Sequence, residues 1–142
     1  MKIYFAAPLF NAAERDWNAT LAAALRAAGH EVFLPQEQEP GRDAAGIFAG
    51  DVGGIDRADA LVAIVDGADP DSGTSWEVGY AYLKKRIVLV RTDMRRTGSG
   101  GWDYNAMLTE SATVRVDALA APIEQVANEV LQALAGLEAV PA

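Results

Sequence analysis

The run Ala60-Leu61-Val62-Ala63-Ile64-Val65 carries no polar interruption, is rich in β-branched side chains and is too short to make a helix of its own. Such a run fits a strand buried on both faces, the condition met in a parallel sheet covered by helices on either side. Burial on both faces requires the rest of the chain to supply further strands and covering helices, and the pattern supplies them. Strands are expected near Lys2–Ala6, Glu31–Leu34, Ala60–Val65, Ile87–Arg91 and Thr113–Val116, with helical periodicity between them. The alternation predicts an α/β fold, a five-stranded parallel sheet flanked by helices and doubly wound in the Rossmann or flavodoxin-like manner.

The flanking helices can be read from their ends and stripes. Asn11 and Glu14, in capping-box spacing, open a first helix that ends at Gly29 and carries Trp17, Leu21, Ala24, Leu25 and Ala28 on one apolar face. A last helix, near Ala120 to Leu137, repeats the pattern through Ile123, Val126, Val130, Leu131 and Leu134. Both stripes read as core. With 142 residues the chain is expected to form a single domain, residues 1–142; a domain of this size buries roughly two thirds of the surface its unfolded chain exposes.

Composition narrows the partners. A formal net charge of −8 argues against a nucleic-acid polymer, whose binding depends on a basic surface that releases counterions. The absence of cysteine excludes disulfides, thiolate metal sites and a cysteine nucleophile, and the single histidine, His30, sits at a helix-to-strand turn where exposure is expected. Neither a metal nor another cofactor is called for. The apolar opening runs straight into Asn11, Glu14, Arg15 and Asp16, too short for a signal peptide, so a cytoplasmic protein without a membrane partner is expected.

The chemistry is expected just beyond Val65. The loop from Asp66 to Glu77 places three aspartates and two glycines between the buried strand and a helix, at the strand's carboxyl end, where open α/β sheets bind ligands. A phosphate loop would avoid such carboxylates, so the loop favours hydroxyls, amines and protonatable rings, a sugar or a base. Glu77 has two readings. Thr74-Ser75-Trp76-Glu77 matches a capping box, in which the glutamate reaches back to the N-cap amide. Alternatively the helix dipole keeps an ionised carboxylate there, as a covalent nucleophile requires. Gly79, two residues on, suggests that a backbone or ligand comes close.

Other charged residues are weighed in the same way. Asp51 lies in a helix leading to the buried strand and is a candidate site residue, whereas Asp56 and Asp59 read as solvated charges. Asp69 and Asp71 fit turns around Pro70 and Gly73, with Asp71 the better placed for a ligand. Lys84-Lys85-Arg86 reads as a solvated cationic helix end, and the Gly- and Ser-containing segment Thr92–Asp103 as a mobile loop or lid.

Two distant segments carry a resemblance. Ile3-Tyr4-Phe5-Ala6-Ala7-Pro8-Leu9-Phe10-Asn11 and Gly73-Thr74-Ser75-Trp76-Glu77-Val78-Gly79-Tyr80-Ala81 resemble the first strand and the glutamate-bearing segment of the nucleoside 2-deoxyribosyltransferases. Asp51 within Asp-Val-Gly-Gly-Ile, Asp71 six residues before Glu77, and Asn105-Ala106-Met107 extend it over most of the chain. The resemblance implies transfer of 2-deoxyribose between nucleobases. Glu77 would attack the anomeric carbon, Tyr4 would orient it, and Asp51 and Asp71 would hold the base and protonate its departing nitrogen. Ala6, Phe10 and one of Gln36 and Gln38 would bind substrate, and Asn105 and Met107 would be lent by a neighbouring subunit of a homo-oligomer. The implied partners are purine or pyrimidine 2'-deoxyribonucleosides and free nucleobases. Two other readings are a 2'-deoxynucleoside 5'-phosphate N-hydrolase, with Arg95 and Arg96 at a phosphate, and a non-catalytic nucleoside-binding module.

Overall fold

The computed structural model describes residues 1–38, 40–95 and 105–139. In chain order these form β1 (Lys2–Ala6), α1 (Ala12–Ala27), β2 (Glu31–Phe33), a 3-10 turn (Pro35–Glu37), α2 (Ala44–Arg57), β3 (Ala60–Ile64), α3 (Ser72–Ala81), β4 (Arg86–Arg91), α4 (Ala106–Thr109), β5 (Val114–Asp117) and α5 (Ile123–Glu138). The strands make one all-parallel sheet in the order β2-β1-β3-β4-β5. This is the doubly wound order expected from the sequence, and its direction of winding reverses between β1 and β3, where ligand crevices open.

Alternation along each strand divides the core into two layers. Ile3, Phe5, Val62, Val88 and Val90 pack with Leu21, Leu25, Val130 and Leu134 of α1 and α5. Tyr4, Ala6, Leu61, Ala63 and Leu89 pack with Ile55, Val78 and Leu108 of α2, α3 and α4. Every residue of β3 is buried, and each such Val, Leu or Ile contributes about 1.5–3 kcal/mol relative to exposure. Asn11 and Glu14 form the expected reciprocal capping box at α1, and Gly29, with φ of 93°, adopts the left-handed conformation that lets the chain turn into β2.

The carboxyl edge of the sheet is braced by side chains. Asp66, just past β3, accepts from the amides of Thr92 at 2.6 Å and Asp93 at 2.9 Å and from the Thr92 hydroxyl. Asp93 accepts in return from the Gly67 amide at 3.0 Å, and the buried Arg91 guanidinium donates to Val65 O at 2.9 Å. These bonds fix Thr92 and Asp93, the first residues of the segment expected to be mobile; residues 96–103 of that segment lie outside the described residues.

The basic triplet is likewise not a solvated helix end. α3 stops at Ala81, and Lys85 extends to α2, donating to Asp56 O at 2.8 Å and Ala58 O at 2.7 Å, carbonyls that the end of that helix leaves open. Arg86 donates to Leu137 O and Lys84 lies 3.6 Å from the Tyr80 ring centroid. Asp59 accepts from the Lys2 amide at 2.7 Å and Asp56 from the Tyr80 hydroxyl at 3.0 Å, so both expected solvated charges have structural partners. His30 is half-buried, facing the chain's amino terminus at 3.3 Å, rather than exposed. No helix of the described residues is long and apolar enough to cross a membrane.

Candidate active site

Tyr4 occupies a central position of β1 and its ring is fully buried, stacked on Phe33 with centroids 5.4 Å apart and planes 17° apart. Gly54 of α2 closes this stack. A Cβ there would lie 2.9 Å from Phe33 Cε1 and 3.0 Å from Tyr4 Cδ2, so only glycine admits both rings. The packing aims the Tyr4 hydroxyl at α3, where it donates to Glu77 Oε1 at 2.5 Å. Burial and the neighbouring Glu77 and Asp51 carboxylates push the Tyr4 phenol far above its ordinary range, so it remains a donor throughout the working pH range.

Glu77 is not a cap. Asp71 is the N-cap of α3, accepting from the Thr74 amide at 2.8 Å and the Thr74 hydroxyl at 3.1 Å, so the helix begins at Ser72 and Glu77 falls in its second turn. Burial works against the helix dipole at Glu77. Burial pushes its carboxyl up to about 7, with Asp51 and Asp71 adding to the rise and the Tyr4 hydrogen bond opposing it. Asp51 is raised by burial too, moderated by Tyr4 and by the charge of Arg42.

Asp51 and Glu77 face a common cavity of about 460 Å³ between α2 and α3, walled by Ile47, Phe48 and Trp76. Phe48 and Trp76 meet at 5.3 Å with planes tilted by 57°, and Trp76 stacks on Tyr80 at 5.2 Å. On its other side Asp51 borders a cavity of about 240 Å³ with Arg15, Gln36, Gln38 and Arg42. Gln36 is held in place by its own bonds: its amide donates to Arg15 O at 2.8 Å and accepts from Asn18 at 3.2 Å. Gln38 borders the same cavity.

The structure therefore brings together Tyr4, Glu77, Asp51 and the cavity bordered by Gln38, with Asp71 at the start of the same helix. It does not bring in Ala6, Phe10, Asn105 or Met107. Ala6 is fully buried in the core, and Phe10 is 76% exposed; neither borders the Glu77 cavity. Asn105 caps α4 by accepting from the Met107 amide at 2.9 Å, and Met107 is 83% exposed. Both border a separate cavity of about 460 Å³ with Val78, Gly79 and Tyr82, on another face of α3. A Cβ at Gly79 would meet nothing within 4 Å, so it is not a second backbone that comes close there; Gly79 lines this open cavity instead.

The phosphate expectation also changes. Arg95 is engaged by Asp93 through paired contacts at 2.9 Å and 3.0 Å, which hold the Asp93 carboxyl far below its usual range; Arg96 lies outside the described residues. Among the described residues no group of three or more His, Cys, Asp or Glu is placed to hold a metal ion. Sequence reasoning missed Phe33, Gly54, Trp76 and Arg42. A glycine pair inside α2 was the one signal for the ring slot, and nothing local marks the other three.

Comparison with known proteins gives a family match and several similar structures. The family model described as Nucleoside 2-deoxyribosyltransferase matches residues 3–128. The 2-deoxyribosyltransferase of Bacillus psychrosaccharolyticus is 31% identical, with a TM-score of 0.71 over 90% of this chain and 91% of that one. A conserved protein from Enterococcus faecalis V583 is 28% identical, with a TM-score of 0.70 over 92% and 97% of the two chains. At 16% identity the CMP N-glycosidase of Clostridium botulinum shares the fold, with a TM-score of 0.67 over 93% and 99%. A search of curated protein sequences gave no match. The match across most of its length and the all-parallel sheet agree that the chain belongs to the nucleoside 2-deoxyribosyltransferase family.

Proposed function

We propose that the chain exchanges nucleobases on 2'-deoxyribonucleosides through a covalent deoxyribosyl ester on Glu77, with net retention at the anomeric carbon. The observation that carries this reading is the 2.5 Å hydrogen bond from Tyr4 to Glu77 Oε1 at the edge of the cavity that Asp51 also faces. It holds one carboxylate oxygen and leaves Oε2 to attack. The ionised Glu77 forms a bond to the anomeric carbon as the bond to the base nitrogen breaks, and the released electron pair takes a proton from Asp51. An incoming base then attacks the same carbon from the opposite face to Glu77, expels the carboxylate and returns a proton to Asp51. Atoms and charges balance without a cofactor.

The transition states resemble an oxocarbenium ion, as in retaining glycoside hydrolysis, so an electron-withdrawing 2'-hydroxyl would raise both barriers. A preference for deoxy sugars follows from induction. Asn105 and Met107 line a different cavity from Glu77, so they would reach a Glu77 site only if a second subunit supplied them, an arrangement that a symmetric oligomer would repeat. The reading is tested by incubating the protein with deoxyinosine and adenine and resolving the products by chromatography. Deoxyadenosine is expected. Free deoxyribose alone would make the protein a hydrolase, and unchanged deoxyinosine would make it a binding module.

A further inference from the structure

The wall of the smaller cavity contains an arginine whose placement is built into α2. Gly46 and Gly50 lie one helical turn apart on the same face, and the Arg42 side chain lies along them. A Cβ at Gly46 would meet Arg42 Cβ at 3.6 Å and Cγ at 3.8 Å, and a Cβ at Gly50 would stand 2.6 Å from Arg42 Nη1. The glycine track thus carries the guanidinium to the side of α2 where Asp51 and Gln38 border the same cavity of about 240 Å³. Gln38 Oε1 lies 4.0 Å from the same Gly50 Cβ position, so the arginine and the glutamine flank the same residue.

Guanidinium groups donate and cannot accept. Beside a carboxyl group that gives its proton to a ring nitrogen, such a group matches a base with a carbonyl oxygen next to that nitrogen, as in the O6 and N7 pair of a 6-oxopurine. Adenine would present an amino donor to the same N–H groups. We propose that Arg42 is a specificity-determining residue that reads the exocyclic group of the base and makes 6-oxopurine deoxynucleosides better substrates than deoxyadenosine. The inference rests on the transferase reading for its substrate, but its central contact is between Arg42 and the base and is testable apart from turnover. Arg42 is exposed, so water competes for its N–H groups, and the analogue that cannot accept from them is expected to be disfavoured by about three- to tenfold.

The test measures base release from deoxyinosine and deoxyadenosine, and calorimetric affinity for hypoxanthine and adenine, in the wild type, Arg42→Met and Gly50→Ala. Arg42→Met keeps the stem and removes the donors. Gly50→Ala leaves Arg42 in the chain but places a methyl group where its Nη1 lies, and alanine favours a helix interior over glycine, so loss of discrimination there is not loss of fold. The wild type is expected to favour deoxyinosine in kcat/KM by about three- to tenfold, with the ratio falling toward one in both variants. A wild-type ratio near one, or variants that slow both substrates equally, would overturn the proposal and reduce Arg42 to an influence on Asp51. If the wild type releases neither base yet binds hypoxanthine more tightly than adenine in an Arg42-dependent way, the transferase reading fails and the assignment of Arg42 stands. Equal affinities in that case overturn both.

Discussion

The Tyr4 hydroxyl and Glu77 Oε1, 73 residues apart in sequence, are joined by a 2.5 Å hydrogen bond where the winding of the sheet reverses. Because the bond favours the ionised carboxylate, it works against burial, which pushes Glu77 up to about 7. A nucleophile must be ionised, so kcat/KM is expected to fall as pH drops below about 7. Tyr4→Phe removes the opposing bond, raises the Glu77 pKa further and moves this acid limb to higher pH. A lost hydrogen bond to a charged group is worth about 1.5–3 kcal/mol, or on the order of ten- to a hundredfold in kcat/KM near neutrality. A profile that falls in height without moving along the pH axis would show that Tyr4 does not tune Glu77.

Stability should respond to the same carboxyl in the opposite sense from a paired surface acid. Its folded pKa, about 7, lies above the ordinary 4.5, so between these values the folded state holds more protons than the unfolded one. Stability therefore decreases as pH rises through that window. Glu77→Gln, which retains an oxygen to accept from Tyr4, is expected to stabilise the protein at pH 8 by up to about 3 kcal/mol and to change little at pH 4. Urea denaturation at both values checks this.

Gly54→Ala isolates the ring slot. Its methyl group would press on two stacked rings at 2.9 and 3.0 Å, and the rings are buried or partly buried. Overpacking of this kind costs about 1–3 kcal/mol, against a helix-propensity gain of about 1 kcal/mol. Displacement of Tyr4 should also shift the acid limb in the direction expected for Tyr4→Phe. An unmoved pH profile in a folded variant would separate the slot from the site.

Sharing of sites between subunits has its own test. Glu77→Ala and Asn105→Ala are each expected to be impaired, the second by about 1–3 kcal/mol if a 5'-hydroxyl loses its partner. Mixing the two after dissociation should restore some activity, because certain mixed sites combine an intact Glu77 with an intact Asn105. No recovery despite subunit exchange would place Asn105 in the same subunit's site or outside any site.

The strands were legible because continuous apolar runs such as Ala60–Val65 have few other uses, and all five lie within a residue or so of their expected bounds. α4 was not legible: Ala106–Thr109 is too short to show periodicity. The start of α3 was misread because Asp71-x-x-Thr74 and Thr74-x-x-Glu77 both satisfy capping patterns. Burial decides between them, since Thr74 is 1% exposed inside the first turn and Glu77 is drawn away to Tyr4. Gln36 and Gln38 could not be separated in sequence because the distinction lies in Arg15 and Asn18 of α1, to which Gln36 alone is bonded. What local pattern could not supply was pairing between distant segments, such as Tyr4 with Glu77 and Gly54 with the Tyr4 and Phe33 rings.

The central claim, a covalent ester on Glu77, is tested most directly by mass spectrometry of the protein after reaction with a 2'-deoxy-2'-fluoronucleoside. Fluorine destabilises the oxocarbenium-like transition states of both steps and slows release of the intermediate. The account expects base release accompanied by a peptide containing Glu77 that carries the added fluorinated sugar. Released base with only unmodified peptide would contradict it and favour direct attack by water.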